Sequence, residues 1–416
     1  MNAEIICIGT ELLLGNIVNT DATDVAQTLS EMGISVYRYT AVGDNPERLA
    51  EVVQAAARRA DLLITTGGLG PTLDDLSKQT VAAAFGKKLV HHPECEADIR
   101  AYFERLHRPM TPNNLLQAML PEGCTVLKND WGTAPGCVFD AEGVKVIMLP
   151  GPPRECRAML RYRVAPYLKS LSGQTIHSRY VHIFGMGESQ VESLLHDLME
   201  QSSNPTVAPY AKEGEVMLRI TAAASSQAEA ETMIEPVAAQ IRTVLGPLIY
   251  TEEYDSLEQT CLNLLRQADK TLATAESCTG GYIAKRMTDL PGSSAVFVGG
   301  VVAYTVPVKE QLLGVPAGLI ERCGVVSVEV AAAMAEGVRA RLGSSFGIGV
   351  TGLAGPDGDG SNRPVGLVYV ALSDGDNTWV RAIQQTGERE RVRYIAGHHA
   401  FDMLRRVLTG LPVERQ

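Results

Sequence analysis

The sequence has no C-x-x-C pair and no His-x-x-x-His pair, so its eight cysteines, at 7, 95, 124, 137, 156, 261, 278 and 323, do not read as a zinc site. Scattered thiols of this kind suit a reducing compartment, and a cytoplasmic protein is expected. Long apolar runs are also missing, which excludes a hydrophobic membrane-spanning helix. The opening residues MNAEIICIGTELLLG carry no basic stretch and are interrupted by Glu4 and Glu11, so they are not expected to act as a signal peptide. Basic excess is absent: 37 Lys and Arg against 48 Asp and Glu leave a formal net charge of -11. Nucleic acid is therefore not expected as a partner, because phosphate binding needs clustered cations. No G-x-x-x-x-G-K-[ST] loop occurs, so there is no Walker A site.

What is present is a globular composition, 45% hydrophobic and 20% charged. At 416 residues the chain calls for two or three domains. Residues 4–9 read as a buried strand, 20–32 as a helix stopped by Gly33, VYRYTAVG as a strand and PERLAEVVQAAARRA as a helix with Pro46 in its first turn. DLLITTGG and KVIMLPGPP are further strands that end in Gly/Pro turns. Strands alternating with helices imply a parallel α/β sheet, whose ligands sit at the carboxyl ends of the strands. The segment 176–250 has a different rhythm, that of a small α+β unit with no convergent chemistry. From 256 onward a second α/β unit is expected, with strands at KTLATAE, AVFVGGVVAY, FGIGVTG and PVGLVYVAL and a closing helix at GERERVRYIAGHHAFDMLRRVL.

The chemistry concentrates in two places. In TAESCTGG, Ser277 follows a strand and precedes a helix. It reads either as a helix N-cap or as a nucleophile beside free backbone amides, with Thr279, Gly280 and Gly281 lining a close approach. A serine needs a base, and the nearby candidates are Tyr304 and Lys309. Lys309 is either a solvated charge or, if buried, an amine of lowered pKa. The glycine-rich loop 355–366 follows the strand ending at Gly352 and is placed to close over Ser277. Arg389 and Arg393, one turn apart, either form a solvated helix face or hold a substrate phosphate. The Gly343–Gly347 match to G-x-S-x-G lies between a helix and a strand, the reverse of a nucleophile elbow, and is set aside.

The second place is TGGLGPTLDD. Gly67, Gly68 and Gly70 suit a phosphate cradle, and Asp74 and Asp75 are either first-turn acids or ligands of a divalent metal, with Glu11 and Asp44 near other strand ends.

These stretches resemble the competence/damage-inducible CinA family over nearly the whole chain. The N-terminal marks are IGTELLLG, VGDN, TTGGLGPTLDD, TPNNLLQA, NDWGTAPG and LPGPPRE. The resemblance implies a molybdopterin-binding-like three-layer α/β domain over 1–170, acting as a metal-dependent ADP-ribose pyrophosphatase that yields AMP and ribose 5-phosphate. YAKEGEVMLRITA is similar to the family's middle domain, over 176–250. TAESCTGG, DLPGSSAVF, Y-x-x-x-x-K, GVTGLAGP, RPVG and GERERVR are similar to nicotinamide mononucleotide amidohydrolase, an α/β domain over 256–416. The family's serine, tyrosine and lysine then fall on Ser277, Tyr304 and Lys309, with no metal or other cofactor at that site. The resemblance carries Gly352 and Gly355 into the substrate site with Arg389 and Arg393. A bifunctional hydrolase of pyridine-nucleotide salvage, a homodimer with small nucleotides as partners and no membrane, is the expectation. A pterin- or nucleotide-binding competence or assembly factor without turnover is the alternative. This chain departs from the family at Asp21, where Asn is common, and at Thr305 to Val308, where Ser-Asn-Glu-Ala is often found. It also has Arg363 where lysine is usual.

Overall fold

The computed structural model describes residues 1–72, 74–170 and 175–413. They form two compact units, residues 1–178 with 222–233, and residues 179–221 with 234–416. Residues 171–174, within the LKSLSGQT stretch (168–175) where a domain boundary is expected, lie outside the described residues.

The first unit starts with β1 (Asn2–Ile8), α1 (Thr20–Glu31), β2 (Ser35–Val42), α2 (Pro46–Ala57) and β3 (Leu62–Thr66). The side chains of Asn19 and Asn45 cap the two helices, and Pro46 opens the second. β4 (Thr125–Leu127), β5 (Gly136–Ala141) and β6 (Val144–Leu149) complete a six-stranded sheet in the order 2-1-3-6-5-4. Strands 2, 1, 3 and 6 are parallel, as alternation with helices predicts. β4 and β5 add antiparallel, a hairpin not foreseen because TVL and GCVFDA sit among turn residues. Successive strand residues face opposite cores. Ile6, Ile8, Leu63 and Met148 pack on α2, and Ile5, Cys7, Ile64 and Leu149 pack on α1, giving three layers.

β7 (Thr175–Phe184), α3 (Glu188–Gln201), β8 (Thr206–Lys212), β9 (Glu215–Ala224), α4 (Gln227–Leu245) and β10 (Ile249–Thr251) form the α+β segment, of which residues 179–221 and 234–251 belong to the second unit. Next come α5 (Leu257–Gln267), β11 (Leu272–Glu276), α6 (Tyr282–Thr288), β12 (Phe297–Val302), α7 (Val306–Leu313) and α8 (Val328–Leu342). β13 (Phe346–Gly352), β14 (Leu367–Ser373), β15 (Thr378–Gln384) and α9 (Arg389–Leu408) end the fold. The sheet order is 12-11-13-14-15. The first three strands are parallel and the last two antiparallel. Phe184 and Tyr250 of the α+β segment share one core with residues of α5, β11, β13 and α9, so that segment is more than a spacer. β15, TWVRAIQ, was not expected. It is the edge strand, and its half-exposed residues give a weak alternation.

Asp402 of α9 is fully buried and meets Arg381 at 2.9 Å, Arg405 at 2.8 Å and Arg406 at 3.3 Å. Arg405 also donates to the carbonyls of Ile249 and Pro247. Removing the carboxylate takes the ion-pair partner from buried Arg405. Asp402→Ala is expected to destabilise this unit by about 3–5 kcal/mol, read as a lower urea midpoint.

No helix among the described residues is long and apolar enough to cross a membrane.

Candidate active site

The carboxyl ends of β12, β11 and β13 lie side by side because these strands are parallel. They deliver Tyr304, Ser277 and Thr351 to one edge, where open α/β sheets place their ligands. The ladder continues one residue further, with Ser277 N donating to Val350 O and Ala303 N to Glu276 O.

Ser277 is not the cap of α6. That helix begins at Tyr282, and its N-cap is Gly281, in the left-handed region at φ 91°. Glu276, buried at the end of β11, takes the first amides instead, accepting from Ile283 N at 3.0 Å and Ala284 N at 2.8 Å. The serine is thereby released from capping and projects from a tight turn.

Lys309 Nζ lies 2.9 Å from Ser277 Oγ. The lysine is fully buried and the serine is 8% exposed. Lys309 sits in the first turn of α7, with Pro307 beside it at the helix start. Burial brings its ammonium pKa from 10.5 down to about 8. Its other contacts are the carbonyls of Ala303 at 2.5 Å and Tyr304 at 3.4 Å. A neutral amine has two N–H bonds and one lone pair. With both bonds aimed at carbonyls, the lone pair is left for the serine hydroxyl. Tyr304 therefore orients the lysine through its backbone. Its ring is 59% exposed, and its hydroxyl accepts from Arg389 Nη2 at 3.3 Å.

A cleft of about 540 Å³ opens on the serine, lined among others by Cys278, Tyr304, Gly352, Gly355, Asp357, Asp359 and Arg389. Gly352, Gly355 and Arg389 thus share this cleft with Ser277, as do residues 357–359 of the glycine-rich loop. Arg389 Nη1 also donates to Gly355 O at 2.9 Å, tying the loop root to α9. Thr279, Gly280, Gly281 and Arg393 are not among the residues lining this cleft. The two glycines serve the turn itself, at φ 61° and 91°. Arg393 donates to Thr279 O at 2.7 and 3.2 Å. Ser344, in the discarded esterase match, is buried and donates to Phe346 O.

The first unit has its own cavity, about 610 Å³, at the carboxyl ends of its four parallel strands. Glu11, Gly67, Gly68, Gly70, Asp74 and Asp75 all line it. Neighbouring atoms crowd each of these glycines. A Cβ on Gly67 would meet Ile8 O at 2.1 Å, on Gly68 Ser77 Oγ at 1.9 Å, and on Gly70 Asp75 Oδ2 at 2.4 Å. Asp75 Oδ2 accepts from Thr72 N at 2.8 Å and Thr72 Oγ1 at 2.6 Å. Asp21, Asp44 and Glu155 line the cavity as well, and among the described residues no Lys, Arg or His does. Burial pushes the Asp21 carboxyl up to about 6, helped by Asp24 and opposed by Arg157. Its Oδ1 is buried without a partner. Glu155 is likewise raised by burial. Glu155 was missed, although its place just after the PGPP turn of a parallel strand was a usable signal. Six hard oxygen donors suit a divalent cation in kind. Among the described residues no three acidic, His or Cys groups stand as a ready-made ligand set.

Residues 4–170 match the "Probable molybdopterin binding domain", 178–251 the "Damage-inducible protein CinA KH domain" and 254–408 the "CinA C-terminal domain". A relative from Acetivibrio thermocellus is 47% identical over 99% of this chain and 100% of its own length. A "CinA-like protein" from Dictyoglomus thermophilum is 46% identical, again over 99% and 100%. A crystal structure of CinA from Thermoplasma acidophilum is 33% identical over 41% of this chain and 98% of its own, with a TM-score of 0.37.

Proposed function

This chain belongs to the CinA family, and from that premise we propose that its second unit is a serine amidohydrolase acting on nicotinamide mononucleotide. The observation that carries the reading is the buried pair Ser277 Oγ and Lys309 Nζ, 2.9 Å apart at the floor of an open cleft. Neutral Lys309 takes the hydroxyl proton as Ser277 Oγ bonds to the carboxamide carbon. The amide of Cys278, next to the nucleophile and lining the cleft, receives the oxyanion. The C–N bond then breaks, Lys309 returns the proton to the departing ammonia, and water hydrolyses the acyl-serine to nicotinate mononucleotide. Arg389, at the cleft edge, faces the substrate phosphate. No step in this sequence needs a metal.

For the first unit we propose hydrolysis of ADP-ribose to AMP and ribose 5-phosphate. A diphosphate does not enter a cavity lined by six carboxylates unless cations accompany it. Glu11, Asp74 and Asp75 would hold a divalent ion there, which when bound polarises the diphosphate. The chain's own part is to place these acids around the Gly68–Gly70 turn.

One experiment tests both sites. Ammonia from nicotinamide mononucleotide and AMP from ADP-ribose are measured with added divalent metal and again with excess chelator. The expected result is unchanged ammonia release and loss of AMP. Ammonia release that stops with chelator, or is absent throughout, overturns the amidohydrolase reading. AMP absent even with metal, while nucleotide still binds, turns the first unit into a binding module.

A further inference from the structure

We infer that Arg393 is a positioning residue for the nucleophile turn and not a phosphate ligand; this rests on the amidohydrolase reading of the same site. The turn between β11 and α6 is built from Ser277, Cys278, Thr279, Gly280 and Gly281. Two adjacent glycines, both at positive φ, make its backbone the most permissive kind. Nothing in the Thr279 side chain steadies it, because its Oγ1 is buried without a partner. Two backbone bonds close it locally, Gly280 N to Ser277 O at 3.1 Å and Tyr282 N to Thr279 O at 3.2 Å. Side chains brace the turn at two further points.

The first point is Glu276, whose carboxylate ties the strand end to the start of α6. The second is Arg393. Its Nε and Nη2 both donate to Thr279 O, at 3.2 and 2.7 Å. Two donors of one rigid fork on a single carbonyl fix the direction of that peptide. Fixing the Thr279 carbonyl fixes the whole Thr279–Gly280 peptide, whose N–H donates to Ser277 O, and so holds the backbone that carries the nucleophile. The guanidinium further lies 5.7 Å from the ring centre of Tyr282, the first residue of α6. Arg389, one turn earlier on α9, points elsewhere, to Gly355 O and the Tyr304 hydroxyl, and lines the cleft. The two arginines of one helix face thus divide the work. Arg389 faces substrate, and Arg393 holds the turn behind the serine.

The test measures steady-state ammonia release from nicotinamide mononucleotide by wild type, Arg393→Ala, Arg393→Lys and Arg389→Ala. Arg393→Ala is expected to lower kcat by about 10²-fold, the loss that a slightly misplaced reacting group brings, with KM within about threefold of wild type. Arg393→Lys keeps one donor and is expected to recover at least about tenfold of that loss. Arg389→Ala is expected to do the opposite, raising KM tenfold or more with a smaller change in kcat. A phosphate role for Arg393 would raise KM instead and leave kcat alone, and that result overturns the inference. So does a kcat for Arg393→Ala within threefold of wild type. If Arg393→Ala does not fold, Arg393→Lys carries the same comparison, its kcat expected about tenfold low at unchanged KM. A wild type that releases no ammonia overturns the amidohydrolase reading itself, and this inference with it. An active wild type with an unaltered Arg393→Ala overturns the inference alone.

Discussion

Ser277→Ala is expected to lower ammonia release from nicotinamide mononucleotide by about 10⁴-fold or more, with the nucleotide still bound at near-wild-type affinity. The alcohol is the atom to be acylated, so its removal leaves a positioned base with nothing to activate. The fold should not notice. Ser277 N still donates to Val350 O, and α6 is still capped by Glu276 rather than by the serine. Had the serine been the cap, the same substitution would cost about 1 kcal/mol of stability. Urea unfolding and a binding isotherm therefore accompany the rate measurement. Ammonia release within tenfold of wild type would end the covalent mechanism. So would acyl-enzyme trapped at another residue.

Lys309→Met is expected to lower kcat by about 10²- to 10⁴-fold and, unlike the serine change, to raise stability. The sign comes from the lowered pKa of about 8 against the ordinary 10.5. Below about pH 8 the folded chain holds a buried ammonium, a cost on the order of 3 kcal/mol. Between about 8 and 10.5 the unfolded chain binds a proton that the folded chain has shed, so stability rises with pH across that window. Methionine has no proton to hold and removes both the cost and the window. The same pKa makes wild-type kcat climb with pH and level off above about 8, since the amine must be neutral to accept the serine proton. At pH 7 roughly a tenth of the molecules carry the neutral form. A wild-type profile flat from pH 6 to 9 would remove Lys309 from the role of base.

Much of this site was legible without coordinates, for a physical reason. Ser277 comes after a five-residue buried strand, and in a parallel sheet the residue after such a strand stands at the ligand edge. The 355–366 loop was placed by the same rule, and Gly352 came with the family resemblance. Lys309 was ambiguous because a lone lysine near a helix start is usually solvated. Only the fold, by bringing β12 beside β11, buries it. The role of Glu276 was hidden. A glutamate before a serine gives no hint that it caps a helix starting six residues later. In the first unit, the glycines of TGGLGPTLDD suggested a phosphate cradle, and a side chain on any of them would also meet Ile8 O, Ser77 Oγ or Asp75 Oδ2. Glycine demanded by packing and glycine demanded by a ligand look alike in a sequence. β15 and the β4–β5 hairpin were missed because short or half-exposed antiparallel strands leave little periodicity.

The cleft wall at Arg389 and the brace at Arg393 both sit in the first two turns of α9, downstream of every other piece of the serine site, and the Asp402 cluster locks the same helix further on. A premature stop codon between positions 310 and 388 would therefore yield a translation product with its serine and lysine encoded but inert. Nonsense alleles late in the reading frame should behave as complete nulls for ammonia release while sparing the chemistry of the first unit.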